Sequence, residues 1–217
     1  MIKIFNTNLP KYRFNSLNCL TEVLTFINKI YLINYNFAKY LQKCCSFFII
    51  NIALNKGLIE IVTARLQYLK LLKFLKDHSL SKCTVVIDYT VIDYPSKRLR
   101  FEVVLLLLSF WWNFRLKIRL FTNELTPIFT ITLLYKVAFW QEREIWDLFG
   151  ILFKHNMDLR RILTDYGFVG HPLRKDFPLT GYSEIFFDDF KQHIVVSSVS
   201  LAQDYRFYDF KNPWISN

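Results

Sequence analysis

Three carboxylates, Glu142, Glu144 and Asp147, fall within six residues of one another. Paired carboxylates can act as general acid and general base when their surroundings separate their pKa values. On a helix, however, Arg143 and Asp147 stand at i,i+4 and can pair, while Glu144 and Asp147 share a face. No nucleophile or base constellation accompanies them, so ion pairing or a partner contact is the expected role. His155, Asp158 and His171 offer ligand chemistry, but their spacing matches no zinc or di-iron pattern. Catalytic zinc uses three protein ligands held by outer hydrogen bonds. These residues read instead as polar anchors for backbone groups.

Arg160-Arg161 and Arg174-Lys175 could grip phosphate. Asp158, Asp165 and Asp176 are interleaved with them and would repel it, whereas guanidinium forks suit carboxylates across an interface. Neither a G-x-G-x-x-G nor a G-K-[ST] cradle occurs, and no serine sits in a nucleophile elbow. The four cysteines, Cys19, Cys44, Cys45 and Cys83, form no C-x-x-C, and adjacent Cys44 and Cys45 cannot easily both reach one iron. Cluster ligation takes about four thiolates at workable spacing. The expectation is reduced, mostly buried thiols, with no metal, cofactor or catalytic residue in this chain.

Four of the five glycines, Gly150, Gly167, Gly170 and Gly181, lie close around these residues, with Pro172 and Pro178 between them. A chain so sparing with glycine is prescribing backbone shape there. Trp140 and Trp146 are expected in the core. Arg160, Arg161, Phe168, His171, Arg174, Lys175, Asp176, Phe177 and Tyr182 are the expected partner-facing positions. Glu142, Arg143, Glu144, Asp147 and the four glycines would form the structural frame.

The elements that must position this stretch can be read from periodicity. Leu17, Leu20, Leu24, Ile27 and Tyr31 draw one helical stripe after Ser16. Phe47–Leu54 and Leu58–Val62 flank Asn55-Lys-Gly57 as a hairpin. Thr63 is expected to cap a helix through Lys76 that buries Leu66, Leu69, Leu72 and Leu75. Four strand-like runs come next, at 83–89, 99–109, 114–121 and 128–134. Val103–Leu108 is apolar on both faces and reads as a strand covered on both sides. Phe114–Phe121 alternates, leaving one face wet. A helix over 138–149 ends on Gly150 as its C-cap, and 158–163 could add about one and a half turns. The expected class is α+β, a mixed β-sheet packed with helices and followed by a long irregular C-terminal arm. The divisions are 1–57, 58–150 and 151–217, the last an extended partner-binding arm.

Apolar residues make up 53% of the 217, yet the longest apolar run, Val103–Trp112, interrupted only by Ser109, is far short of the roughly 20 residues of a spanning helix. The start, Met1-Ile-Lys-Ile-Phe, lacks transit-peptide and secretory character. The net charge of +10 is uneven: residues 1–82 carry 12 Lys/Arg against 3 Asp/Glu, and 183–217 carry 3 against 5. A basic half can meet nucleic acid, anionic lipid or an acidic partner; biased codons giving a solvated Lys face is the plainer cause.

The run E-R-E-I-W-D-L-F, then L-R-R-I-L, then G-H-P-L-R-K-D-F-P-L-T-G-Y resembles the thirty-kilodalton subunit family of respiratory complex I in its mitochondrially encoded form. Val91–Val104 and Tyr205–Trp214 resemble the same family, so the likeness spans about 58–214. One departure stands out: Asn156 and Met157 replace the family's His-Pro, with His155 one place early. The resemblance implies a cofactor-free core subunit of the hydrophilic arm of NADH:ubiquinone oxidoreductase, on the matrix side of the mitochondrial inner membrane. Its partners would be the forty-nine-kilodalton subunit and other hydrophilic-arm subunits of complex I. FMN, iron–sulfur clusters and ubiquinone would belong to neighbours, nucleic acid would not be bound, and the membrane would be reached only through the complex. The rivals are an organellar RNA-binding or ribosomal protein, motivated by the basic stretch 1–82, and a self-standing quinone- or metal-dependent enzyme.

Overall fold

The computed structural model describes residues 17–208 other than Lys56, with side chains from residue 31 onward. Alternating apolar strands form one mixed sheet in the order β1-β2-β5-β4-β3. Its strands are β1 (Ile49–Asn55), β2 (Leu58–Thr63), β3 (Val85–Asp93), β4 (Phe101–Ser109) and β5 (Phe114–Thr122). Only β2 and β5 are parallel; the other neighbours are antiparallel. The helices are α1 (Leu17–Cys44), α2 (Tyr68–Asp77) and α3 (Ala138–Phe149). Alternate residues of the strands, Ile59, Ile61, Val103, Leu105, Leu116 and Ile118 among them, meet Leu41, Leu71, Leu72, Leu75 and Ile145 in a single core. The α+β class and the mixed sheet are as the sequence indicates.

Several local expectations give way. Helix α1 runs on past Tyr31 as far as Cys44, anchored by Asn34, whose Nδ2 donates to Gly57 O at 2.7 Å. Thr63 does not cap α2: its hydroxyl donates to Phe48 O at 2.8 Å, the helix starts at Tyr68, and Leu66 lies before it, exposed. β4 buries one face completely, while Leu106 and Leu108 are half-buried on the other, so the strand is not sealed on both sides among the described residues. In β5 Leu116, Ile118 and Leu120 are buried and Arg115, Lys117 and Arg119 point away, as expected. That outer face carries Glu60, which meets Lys117 and Arg119 at 3.3 Å each. The fourth strand-like run shrinks to β6 (Ile128–Phe129), which pairs in parallel with β7 (Phe153–Lys154). Residues 158–163 are not helical.

The chain divides into two compact units after Asp176, so 151–176 belongs with the sheet rather than with the remainder of the chain. The second unit, taken by itself, contains a hairpin missed by the periodicity reading: β8 (Ser183–Asp188) antiparallel to β9 (His193–Ser198).

Candidate functional site

A helix leaves its last four carbonyls without helical partners. At the end of α3 every one has a donor. Gly150 N donates to Trp146 O at 2.9 Å, Leu173 N to Leu148 O at 3.1 Å, and Arg174 Nε to Phe149 O at 2.7 Å. His171 Nδ1 lies 3.0 Å from Asp147 O and, facing a carbonyl, must carry the hydrogen. Three of the four donors thus come from residues 171–174. Gly150 makes this possible twice over. It holds φ at +76°, and a Cβ there would stand 2.5 Å from His171 Nε2 and 2.6 Å from Arg174 Nη2. Burial pulls the His171 pKa down, and the nearby Arg174 and Arg161 charges reinforce this against the Asp147 carbonyl. The imidazole is therefore a neutral anchor near pH 7.

Asp147 also organises the chain through its side chain. Oδ2 accepts the backbone N–H groups of Ile162, Leu163 and Thr164 at 3.1, 2.8 and 3.0 Å. Oδ1 accepts the Thr164 hydroxyl at 2.6 Å and Arg161 Nη1 at 3.3 Å. Burial pushes this carboxyl up, but the Thr164 hydroxyl and the three backbone donors outweigh it and hold the pKa below the usual range. This explains why 158–163 is not a helix: its amides turn toward one carboxylate instead of toward earlier carbonyls. The expected Arg143–Asp147 pair is not made. Arg143 Nε donates to Arg160 O at 3.1 Å, with its guanidinium carbon 4.9 Å from the centre of the Trp140 ring. Trp140 itself is 60% exposed rather than in the core, Trp146 is half-buried against the His171 ring, and Glu144 faces solvent.

Glu142 is fully buried and accepts from Thr130 Oγ1, Ile131 N and Asn156 Nδ2 at 2.7, 2.8 and 2.8 Å. Desolvation raises its pKa, and the Thr130, Ile131 and Asn156 hydrogen bonds offset part of that rise. Asn156 thus serves as a neutral donor to a buried acid at the position where the sequence departs from His-Pro.

A second anchor comes from the Asp93-Tyr-Pro turn, whose role the sequence did not disclose. Arg100 grips the buried Asp93 through Nε and Nη2, both at 2.7 Å, and also meets Glu124 at 2.6 Å and Asp176 at 3.1 Å. Asp93 Oδ2 accepts Lys175 N at 2.9 Å, and Arg174 Nη1 reaches Glu124 at 3.3 Å. The Arg100 guanidinium, then the Lys175 amide, hold the Asp93 carboxyl below its usual range against desolvation.

Among the positions expected to face a partner, Arg161 donates to Gly170 O at 2.9 Å and lies over Phe168; His171 and Arg174 are occupied by the end of α3. Arg160 is exposed and pairs with Asp158 at 2.6 Å. Lys175 and Asp176 are exposed at their side chains. In the second unit the Phe177 and Tyr182 rings meet edge to face at 5.4 Å beside Gly181. Five apolar residues not expected to face a partner also project: Met157, Leu163, Tyr166, Val169 and Leu173. Within segment 156–176, beside exposed Arg160, Asp165, Lys175 and Asp176, the polar side chains of Asn156, Arg161, Thr164, His171 and Arg174 turn inward while these five apolar ones face outward. Hydrophobicity alone could have flagged them, but periodicity could not, because the backbone there has none.

Among the described residues no three His, Cys, Asp or Glu side chains gather as a metal site. Cys45 and Cys83 are buried, and burial pushes their thiols up to about 11 and about 12. Cys44 is exposed, and the Cys19 side chain lies outside the described ones. No helix among the described residues is long and apolar enough to cross a membrane.

Residues 61–183 match the family described as respiratory-chain NADH dehydrogenase, 30 Kd subunit. The chain is 50% identical over 149 residues to NADH-ubiquinone oxidoreductase subunit 9 of Prototheca wickerhamii, covering 68% of this chain and 78% of that protein. Against subunit 9 of Reclinomonas americana it is 42% identical over 178 residues, covering 82% and 83% respectively. Against the NADH dehydrogenase [ubiquinone] iron-sulfur protein 3 of Arabidopsis thaliana the identity is 48% over 145 residues, covering 67% and 76%. The fold is also found in a chain of the membrane-bound sulfane sulfur reductase, an archaeal respiratory membrane complex. That match has a TM-score of 0.50 at 23% identity, covering 56% of this chain and 72% of that one.

Proposed function

Because this chain belongs to the respiratory-chain NADH dehydrogenase 30 Kd subunit family, and so to the subunits of a complex I-type oxidoreductase, we propose that it is a non-redox scaffold. It is a core subunit of the peripheral, matrix-side arm of mitochondrial, proton-translocating NADH:ubiquinone reductase. Its task is to hold the neighbouring forty-nine-kilodalton subunit in shape while electrons pass from NADH to quinone. FMN, iron–sulfur clusters and ubiquinone sit in other subunits, and this chain supplies no reacting group.

The observation that carries this reading is the apolar display of segment 156–176. Asp147, Arg161, His171 and Arg174 fix the backbone from within, leaving Met157, Leu163, Tyr166 and Val169 displayed on a rigid frame. A soluble surface does not ordinarily hold such residues outward in an ordered loop; a docking surface does. The hairpin of the second unit supports the same reading. A two-stranded ribbon is marginal alone, and Ile185, Phe186, Phe187, Ile194 and Val196 are all exposed on it. Cysteine spacing favours a chain without a cluster: ligation takes about four thiolates at workable spacing, and Cys19, Cys44, Cys45 and Cys83 form no C-x-x-C. The "iron-sulfur protein" in a relative's name is a label of that protein. As for RNA, Arg100, Arg119, Arg161 and Arg174 face carboxylates of this chain instead of a free surface.

Arg174→Ala would lower the amount of assembled complex more than the rate per assembled complex. Native gels with NADH:quinone activity normalised to complex content read both. Normal assembly with a lost rate would overturn the scaffold reading.

A further inference from the structure

The loop joining β4 to β5 consists of Phe110-Trp111-Trp112-Asn113, closed by Asn113 at φ +49°. Its three aromatics are 79%, 71% and 55% exposed, and they include two of the five tryptophans of the chain. They are nevertheless held in place. Trp112 Nε1 donates to Ser79 O at 3.0 Å, and Lys82 Nζ lies 4.7 Å over the Trp111 ring. Below the tip, Phe114 packs on Phe37 at 4.9 Å between ring centres. The knob is therefore aromatic, exposed and preorganised, and the ordering that a flexible loop would undergo on binding is already done.

Its electrostatic setting is one-signed. Half-buried Lys82 and exposed Arg115 flank the aromatics, and no carboxylate occurs in residues 78–87 or 103–123. The acids that bound these stretches are Asp77, Asp88, Glu102 and Glu124; Asp77 acts on Tyr135, Glu102 accepts from Arg119 and Glu124 meets Arg100. Several occupants are disfavoured by charge. Residues 1–16 of this chain hold Lys3, Lys11 and Arg13 and no acid, and a second copy would bring another net +10. Anionic lipid recognition draws on clusters of about four to eight cations, and two flank this tip.

We propose that the β4–β5 tip is a docking knob for a different, acidic subunit, which presents an apolar socket for Trp111 and Trp112 rimmed by carboxylates that meet Lys82 and Arg115. This rests on the reading of the chain as a subunit of an assembly, and adds a contact away from the 156–176 segment. Tryptophan and arginine are among the side chains that dominate interface energetics.

The test uses the complex purified in mild detergent, side by side with the isolated full-length chain. Hydroxyl-radical labelling reads exposure of residues 110–112, and carbodiimide coupling reads what carboxylate adjoins Lys82. The expected result is at least a fivefold loss of labelling in the complex, together with a Lys82 cross-link to Asp or Glu of another subunit. Equal labelling in complex and free chain would overturn the proposal. So would protection with the cross-link running to a second copy, or protection with no Lys82 cross-link at all, as a lipid cover would give. If the chain did not co-purify with the complex, the subunit reading itself would fail; if it co-purified with the tip still labelled, only this inference would.

Discussion

His171 Nε2 occupies the space that a side chain on Gly150 would need, 2.5 Å from where its Cβ would lie. Gly150→Ala therefore meets both a left-handed backbone and a filled site. Gly167, at φ +71° with nothing within 4 Å, meets the backbone cost alone. Denaturant unfolding should show a loss of about 1 kcal/mol for Gly167→Ala and roughly 3 kcal/mol for Gly150→Ala. Equal losses would mean that the His171 contact is not tight.

The two buried carboxyls should shape the acid limb of stability in opposite senses. Asp147 has a folded pKa below its ordinary 3.8, so its contribution is present above that value and is lost as pH falls through the folded pKa. Glu142 has a folded pKa above its ordinary 4.5, so the folded state gains as pH falls through that raised value toward 4.5. In stability-versus-pH curves, Asp147→Asn should flatten the fall below about pH 4 and cost about 3 kcal/mol at neutral pH. Glu142→Gln should remove the gain in stability that the wild type shows as pH falls toward 4.5. Unchanged slopes in either variant would contradict the assignment of that group.

Much of the frame was legible in the sequence. The alternation of β5, the C-cap at Gly150 and the hairpin about Gly57 all come from local pattern, because each is decided by residues a few places apart. The contacts that shape 156–176 were not, since Asp147 reaches 15 to 17 residues ahead and Asp93 reaches 82. Charge spacing made Arg143 the natural partner of Asp147, and that local rule lost to three backbone amides seeking an acceptor. The same blindness explains the residues expected to face a partner. Arg161, His171 and Arg174 looked outward in sequence, whereas a loop without secondary structure needs polar side chains to satisfy its own and its neighbours' backbone groups.

Asn156 takes the donor role toward Glu142 at 2.8 Å, and a histidine there could donate as well. Asn156→His should change stability by less than about 1 kcal/mol, while Asn156→Leu, which leaves the acid short of a donor, should cost about 1–3 kcal/mol. Thermal unfolding of the two variants decides it. A large loss with His would show that the pocket is fitted to the amide.

Arg100 is the main counter-charge of the buried Asp93. Arg100→Ala should cost about 3–5 kcal/mol, because it strands a buried carboxylate. Adding Asp93→Asn should recover part of that, giving a non-additive double-mutant cycle. Additive losses would mean that the pair does not act as a unit.

The central claim is that this chain works by lying on a neighbour through its last segments. The direct measurement is the affinity of the full-length chain for the forty-nine-kilodalton subunit, compared with a chain whose β8–β9 residues 183–198 are replaced by a short Gly-Ser linker. The account predicts at least a thirtyfold weaker complex for the replaced chain, with the far-UV signature of the sheet domain retained. Equal affinity for both chains would contradict it.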